Sequence, residues 1–279
     1  MKHLLSISRP SFWFYTAGPF LLGFTAAAPT LSEFYSVRFV LLFLFFLLPA
    51  NLFLYGINDL FDGDTDQLNQ KKGQQEHFLR QPESNQLRLA LIGVVLLCIF
   101  IAITLRFESA VAMIIFLVLA AAYSAPPFRL KARAFLDSYS NILYLLPALV
   151  GWYLFMDSLP PFSVLLAGAA WTAAMHAYSA IPDIQPDKKA GVTTIAVRLG
   201  EERTALFCLV NWSFFTLILL TLSVPLGLLA FMYPITIWYQ LQQFKEGRSS
   251  IFNQWYWRYS AINTVFGMVL FSTLLTQLL

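Results

Sequence analysis

The chain of 279 residues is 58% apolar and only 12% charged, a balance that no water-facing surface can accommodate, so most of its solvent is lipid. Eighteen Lys and Arg against fifteen Asp and Glu leave a net charge of +3, with no basic stripe of the kind that a nucleic-acid partner requires. The two cysteines, Cys98 and Cys208, each lie inside an apolar run, which excludes a disulfide scaffold and makes them small packing residues.

A helix that crosses a bilayer needs about 20 mostly apolar residues. Nine stretches meet that need, at roughly 11–29, 36–55, 87–106, 109–124, 136–156, 163–181, 204–222, 224–241 and 259–278. The fold class they predict is an all-α membrane protein with nine transmembrane helices. Lys2 ahead of an apolar run ending in Ala26-Ala27-Ala28 imitates a secretory signal, but Pro10, Pro19 and eight later spans predict an uncleaved helix. Sixteen of the eighteen basic residues fall at the N-terminus or after an even-numbered span, and only Arg38 and Arg106 fall on the other side. The positive-inside rule then places the N-terminus and the connections after even-numbered spans in the cytoplasm, and the C-terminus outside, in a multi-pass protein of the cell membrane. The inner connections after spans two and six are long and the outer ones short, so function is expected on the inner face. No Gly- or Ser-rich linker divides the chain, which predicts a single domain over 1–279.

Chemistry concentrates at the ends of three even-numbered spans. After span two, N-D-L-F-D-G-D-T-D at 58–66 packs Asp59, Asp62, Asp64 and Asp66 closely enough to repel unless cations hold them. On a helix, Asn58, Asp62 and Asp66 share one face, and their hard oxygens suit Mg²⁺, which binds through one or two carboxylates plus substrate phosphates. A solvated acidic loop turning at Gly63 explains the same residues without a metal. After span six, Asp183 and Asp187 form a second i, i+4 acidic pair, where Pro182 and Pro186 predict a broken or capped helix end. After span four, Y-S-A-P-P-F-R-L-K at 123–131 brings Tyr123, Arg129 and Lys131 to the same membrane face, and a guanidinium with an ammonium matches a polyanion. Positive-inside statistics alone also account for those basic residues. An Ala-Tyr-Ser-Ala-x-Pro string recurs at 122–127 and 177–182, a weak echo at the ends of spans four and six.

Three features together, N-D-x-x-D-x-x-x-D at Asn58–Asp66, Y-S-x-P-P-x-R-x-K at Tyr123–Lys131 and D-x-x-x-D at Asp183–Asp187, resemble the UbiA superfamily of intramembrane prenyltransferases. The resemblance implies a helical bundle around a central cavity, with Mg²⁺ as cofactor and an allylic diphosphate as substrate. It implies that Asn58, Asp62 and Asp66 bind one metal ion and Asp183 and Asp187 another, while Arg129, Lys131 and Lys188, beside the second motif, contact diphosphate. Metal and basic side chains would neutralise the charge that grows on the leaving diphosphate, and the carbocation left behind survives only where water is excluded. Tyr123 and Tyr178 end their spans near that site as candidate cation stabilisers, although most of the 27 Phe, 7 Trp and 12 Tyr must serve packing. His176, seven residues before Asp183, could exchange a proton there, or form an interhelical hydrogen bond.

The acceptor is apolar and leaves no charge signature. The segments 58–73 and 177–196 look most like the lycopene elongase branch, whose members add a C5 dimethylallyl unit to the end of lycopene on the way to C50 carotenoids, some adding water as well. No Arg-Pro-rich stretch follows Asp66, which counts against several quinone and chlorophyll branches. Two alternatives stay open: a related prenyltransferase acting on a quinone precursor, a chlorophyllide or an archaeal lipid, and a secondary transporter using its intramembrane acids for ion coupling. Acids on one face and at span ends, instead of in broken helices at mid-membrane, speak against transport.

Overall fold

A computed structural model describes residues 2–61 and 81–279, with side chains described from His3 and, after the gap, from Ser84. Among the described residues all regular structure is helical, and no strand occurs beyond one isolated parallel bridge between Arg133 and Thr193. Six helical runs are long and apolar enough to cross a bilayer: Val37–Phe61, Ser84–Ala102, Phe107–Ser124, Phe162–Lys189, Glu201–Leu222 and Val224–Lys245. They fall on expected spans two, three, four, six, seven and eight.

The other three expected spans are shorter, broken or more polar. The first is α1 (Lys2–Ile7), a 3-10 turn at Pro10–Phe12 and α2 (Phe14–Ala27). The 14 residues of α2 rise about 21 Å, less than the hydrocarbon thickness of about 30 Å. The fifth breaks into α7 (Leu136–Tyr139), a 3-10 segment at Ser140–Leu145 and α8 (Leu146–Trp152). The ninth lies in α15 (Ile251–Leu275), whose first half carries Asn253, Gln254, Arg258 and Asn263. The remaining helices are α3 (Val37–Leu47), α4 (Pro49–Phe61), α5 (Gln81–Ala102), α6 (Phe107–Ser124), α9 (Phe162–Ala180), α10 (Ile184–Lys189), α11 (Ile195–Leu199), α12 (Glu201–Leu222), α13 (Val224–Ala230) and α14 (Met232–Lys245).

The chain packs as two units, each with its own core. The first comprises Met1–Arg129, Leu143–Leu159 and Phe271–Leu279. Its centre is aromatic: Phe20, Phe24, Phe46 and Phe116 are fully buried, with Phe46 lying 5.4 Å from Phe20 and 5.8 Å from Phe116 between ring centroids. Lipid tails are as apolar as leucine, so helices associate here by close packing of small residues instead of by hydrophobic exclusion. Gly23 on α2 and Gly151 on α8 provide it, since a Cβ on Gly151 would sit 2.6 Å from the Phe24 nitrogen. Pro49 has no N–H to give the turn before it, and α3 gives way to α4 there; Asn51 ties the junction, donating through Nδ2 to the Phe46 and Leu47 carbonyls and to Thr16 Oγ1. Arg106 and Asp157 form an ion pair that ties the start of α6 to the chain after α8.

The second unit comprises Leu130–Ile142 and Pro160–Leu270. Its helix α9 presents Ala167, Ala170, Ala174 and Ala177 as a buried small-residue face against α12. The centre holds Trp212, Tyr178, Tyr233 and Tyr259, all fully buried. Both cysteines are buried and unpaired by disulfide, as their apolar surroundings predict, and the Cys208 thiol reaches the Ala174 carbonyl at 3.3 Å.

Candidate active site

In the first unit, the ends of α4 and α6 bring two of the sequence motifs together. Helix α6 stops at Ser124 because Ala125 precedes Pro126 and is driven to an extended conformation, φ −86° and ψ 144°. The Ser124 hydroxyl donates to Asn58 Oδ1 at 3.0 Å, so the first residue of the acidic motif is bonded to the residue following Tyr123. Tyr123 and Asn58 are both half-buried. Arg129 follows the cis Pro126–Pro127 bond, half-buried, with its backbone in the left-handed region at φ 40°. Asp62 and Asp66, expected to join Asn58 on a metal, lie outside the described residues.

Asp59 stands apart from the proposed metal face. One position from Asn58 along a helix is a rotation of about 100°, and its carboxylate turns into the unit, where it is 2% exposed. There Arg9 pairs with it at 3.2 Å, the guanidinium lying 4.7 Å from the Tyr55 ring centroid.

In the second unit, Lys131 sits in the 3-10 turn Leu130–Ala132, half-buried. The expected break after span six is present: α9 ends at Ala180, a 3-10 turn covers Ile181–Asp183, and α10 follows. Pro182 and Pro186 both occupy the first turn of their short helices, where a missing N–H is not needed. Asp183 and Asp187 are half-buried and Lys188 is exposed. Asp187 Oδ2 accepts a hydrogen bond from Thr194 Oγ1 at 3.3 Å, and its backbone carbonyl accepts from Val192 N–H at 2.9 Å. Among the described residues no three His, Cys, Asp or Glu side chains gather as a metal site. Asp183 and Asp187 are nonetheless hard oxygen donors of the kind a Mg²⁺ ion takes one or two at a time, and they fit that ion.

The two tyrosines of the repeated string differ in placement. Tyr123 ends α6 half-buried, whereas Tyr178 lies 1% exposed within the second core. The Tyr178 hydroxyl donates toward Gln240 Oε1 at 2.6 Å and the Phe252 carbonyl at 2.9 Å, and its ring packs against Trp212 and Tyr259. His176 Nε2 lies 3.5 Å from Asp137 Oδ2, an ion-pair distance between α9 and α7.

Residues 16–262 match the UbiA prenyltransferase family. The chain belongs to that family. A lycopene elongase/hydratase from Halobacterium salinarum is 40% identical over 269 residues, covering 96% of this chain and 95% of that protein. A second, from Haloferax volcanii, is 39% identical over 273 residues, covering 97% and 87%. Among solved structures, a UbiA homolog from Archaeoglobus fulgidus bound to DMAPP and Mg²⁺ shares the fold with a TM-score of 0.67 at 20% identity, over 97% of this chain and 99% of that one. The chain is therefore a membrane-embedded UbiA prenyltransferase, and its relatives serve carotenoid biosynthesis.

Three residues that contact motif residues, or the chain beside them, within their own units were not singled out by sequence reasoning: Arg9 in the first, Asp137 and Thr194 in the second. Asp137 carried a signal, since it is the one charge inside the expected span 136–156, and an ionisable residue within a span is a functional candidate by default. Arg9 is indistinguishable in sequence from an ordinary positive-inside charge, and Thr194 from an ordinary helix cap.

Proposed function

We propose that the enzyme transfers a dimethylallyl group from its diphosphate to the end of lycopene, in a Mg²⁺-dependent step of C50 carotenoid synthesis. What carries this reading is the 40% identity to a lycopene elongase/hydratase across 96% of the chain. The Mg²⁺ and DMAPP bound by the A. fulgidus homolog support the cofactor and the donor class.

In this reading Asn58, Asp62 and Asp66 hold one metal ion and Asp183 and Asp187 hold another. The bound ions supply charge neutralisation to the departing diphosphate. Arg129 and Lys131, which follow the Pro126–Pro127 turn in the chain, bind the diphosphate oxygens, and Lys188 adds a third cation beside the second acidic pair. Of the two tyrosines, Tyr123 is assigned to the carbocation, because its ring is half-buried beside Ser124 and Asn58. Tyr178, enclosed by Gln240, Phe252, Trp212 and Tyr259, is assigned to holding the second core. Loss of a proton or addition of water ends the reaction at the acceptor carbon. The chain forms one prenyltransferase domain over 1–279 with nine membrane crossings, the three short or broken segments completing them. The N-terminus and the site loops face the cytoplasm, and the C-terminus faces outside.

Expression in a lycopene-producing cell supplied with dimethylallyl diphosphate tests the acceptor. Extracted pigments are expected to include C45 and C50 species by mass. A stably inserted enzyme that yields neither would move the acceptor to a quinone precursor, a chlorophyllide or an archaeal lipid.

A further inference from the structure

Asp137, at the start of α7, is 0% exposed, and a carboxylate removed from water persists only if it is bonded or paired. Its Oδ2 accepts the Ile195 N–H at 2.8 Å and faces His176 Nε2 at 3.5 Å, while Oδ1 has no hydrogen-bond partner among the described residues. Ile195 is the first residue of α11. The cap of that helix, Thr194, accepts the Val197 N–H through Oγ1 at 3.3 Å and donates the same hydroxyl to Asp187 Oδ2. The backbone between them is stitched at two more points, by Val192 N–H to the Asp187 carbonyl and by the bridge from Thr193 to Arg133.

A continuous chain of contacts thus runs from a buried carboxylate, through one backbone amide and one hydroxyl, to a carboxylate of the second acidic motif. We propose that Asp137 is a positioning residue, anchoring the 191–195 segment so that Thr194 orients Asp187 for metal and diphosphate. The inference rests on the assignment of Asp187 as a metal ligand. At 3.3 Å the contact between Thr194 and Asp187 is loose for a hydroxyl and a carboxylate, so its worth is in orientation and not in strength. Groups that orient a ligand in this way typically change metal affinity by about 10- to 100-fold when removed.

The test uses the full-length protein in nanodiscs, with Mn²⁺ binding followed by electron paramagnetic resonance in the presence of inorganic pyrophosphate, and with turnover measured across Mg²⁺ concentrations. Thr194→Val and Asp137→Ala are expected to weaken Mn²⁺ binding, and to raise the Mg²⁺ needed for half-maximal turnover, by about tenfold or more. At saturating Mg²⁺, kcat is expected to recover to within a few-fold. Thr194→Ser, which keeps the hydroxyl, is expected to restore wild-type Mg²⁺ dependence. Thr194→Val leaves the buried carboxylate in place and so carries the test even where Asp137→Ala does not fold. If Asp187→Ala weakens Mn²⁺ binding while Thr194→Val leaves both readouts at wild-type values, the tether is wrong and the metal assignment stands. If Asp187→Ala binds Mn²⁺ as the wild type does, the metal assignment fails and the tether with it.

Discussion

Replacing Arg9 with Met removes a cation that pairs with the buried carboxylate of Asp59. At 3.2 Å and an effective dielectric constant of about 20, the pair attracts by about 5 kcal/mol, much of it offset by desolvation of two charges. Removal of one partner exposes that offset without the attraction, and comparable buried pairs lose about 3–5 kcal/mol when broken. The contact between the guanidinium and the Tyr55 ring, at 4.7 Å, adds about 0.5–2 kcal/mol to the loss. Asp59→Asn is expected to be milder, because the Arg9 side chain is 17% exposed and can turn its head toward solvent. A double-mutant cycle with Arg9→Met, Asp59→Asn and their combination separates the pair from the packing. The assay is reversible unfolding in mixed micelles followed by tryptophan fluorescence, and a coupling of about 1–3 kcal/mol is expected. Single losses that add to within about 0.5 kcal/mol would refute the buried pair as a unit.

Close helix packing makes a second expectation: Gly151→Ala places a methyl 2.6 Å from the Phe24 nitrogen and is expected to destabilise by about 1–3 kcal/mol or more, whereas Gly93→Ala in α5 meets nothing within 4 Å and is expected to be neutral or slightly stabilising in the same unfolding assay. Tyr178→Phe strips a proton from two buried acceptors, Gln240 Oε1 and the Phe252 carbonyl, and is expected to cost about 1–3 kcal/mol of stability by that measurement. Arg129→Gly removes a side chain from a backbone at φ 40°, relieving about 1 kcal/mol of strain that the extra freedom of glycine partly cancels, so stability is expected to hold while pyrophosphate affinity, measured by calorimetry, falls. Unchanged affinity in that variant would remove Arg129 from the diphosphate site.

Charge and apolar run length made the all-helical membrane fold legible, because a bilayer leaves few ways to satisfy a backbone. The helix break after Ala180 was equally legible, since Pro182 and Pro186 forbid a continuous ladder there. Hydropathy could not reveal that 136–156 is split into α7, a 3-10 segment and α8, because broken and continuous apolar helices share one composition. Acidic spacing pointed to Asn58 and Asp187 without saying what steadies them. The bonds from Ser124 and Thr194 join residues 66 and 7 positions apart, and the first of these depends on how α4 and α6 lie beside each other. Tyr123 and Tyr178 occupy the same place in one short string, yet packing partners far along the chain give them different surroundings.

Mg²⁺-dependent consumption of dimethylallyl diphosphate by the purified enzyme, wild type against Asp62→Ala and Asp183→Ala, tests the catalytic claim most directly. Both variants are expected to insert normally into the membrane and to lose turnover at every Mg²⁺ concentration. Turnover at wild-type levels in both would contradict metal-held diphosphate as the basis of catalysis.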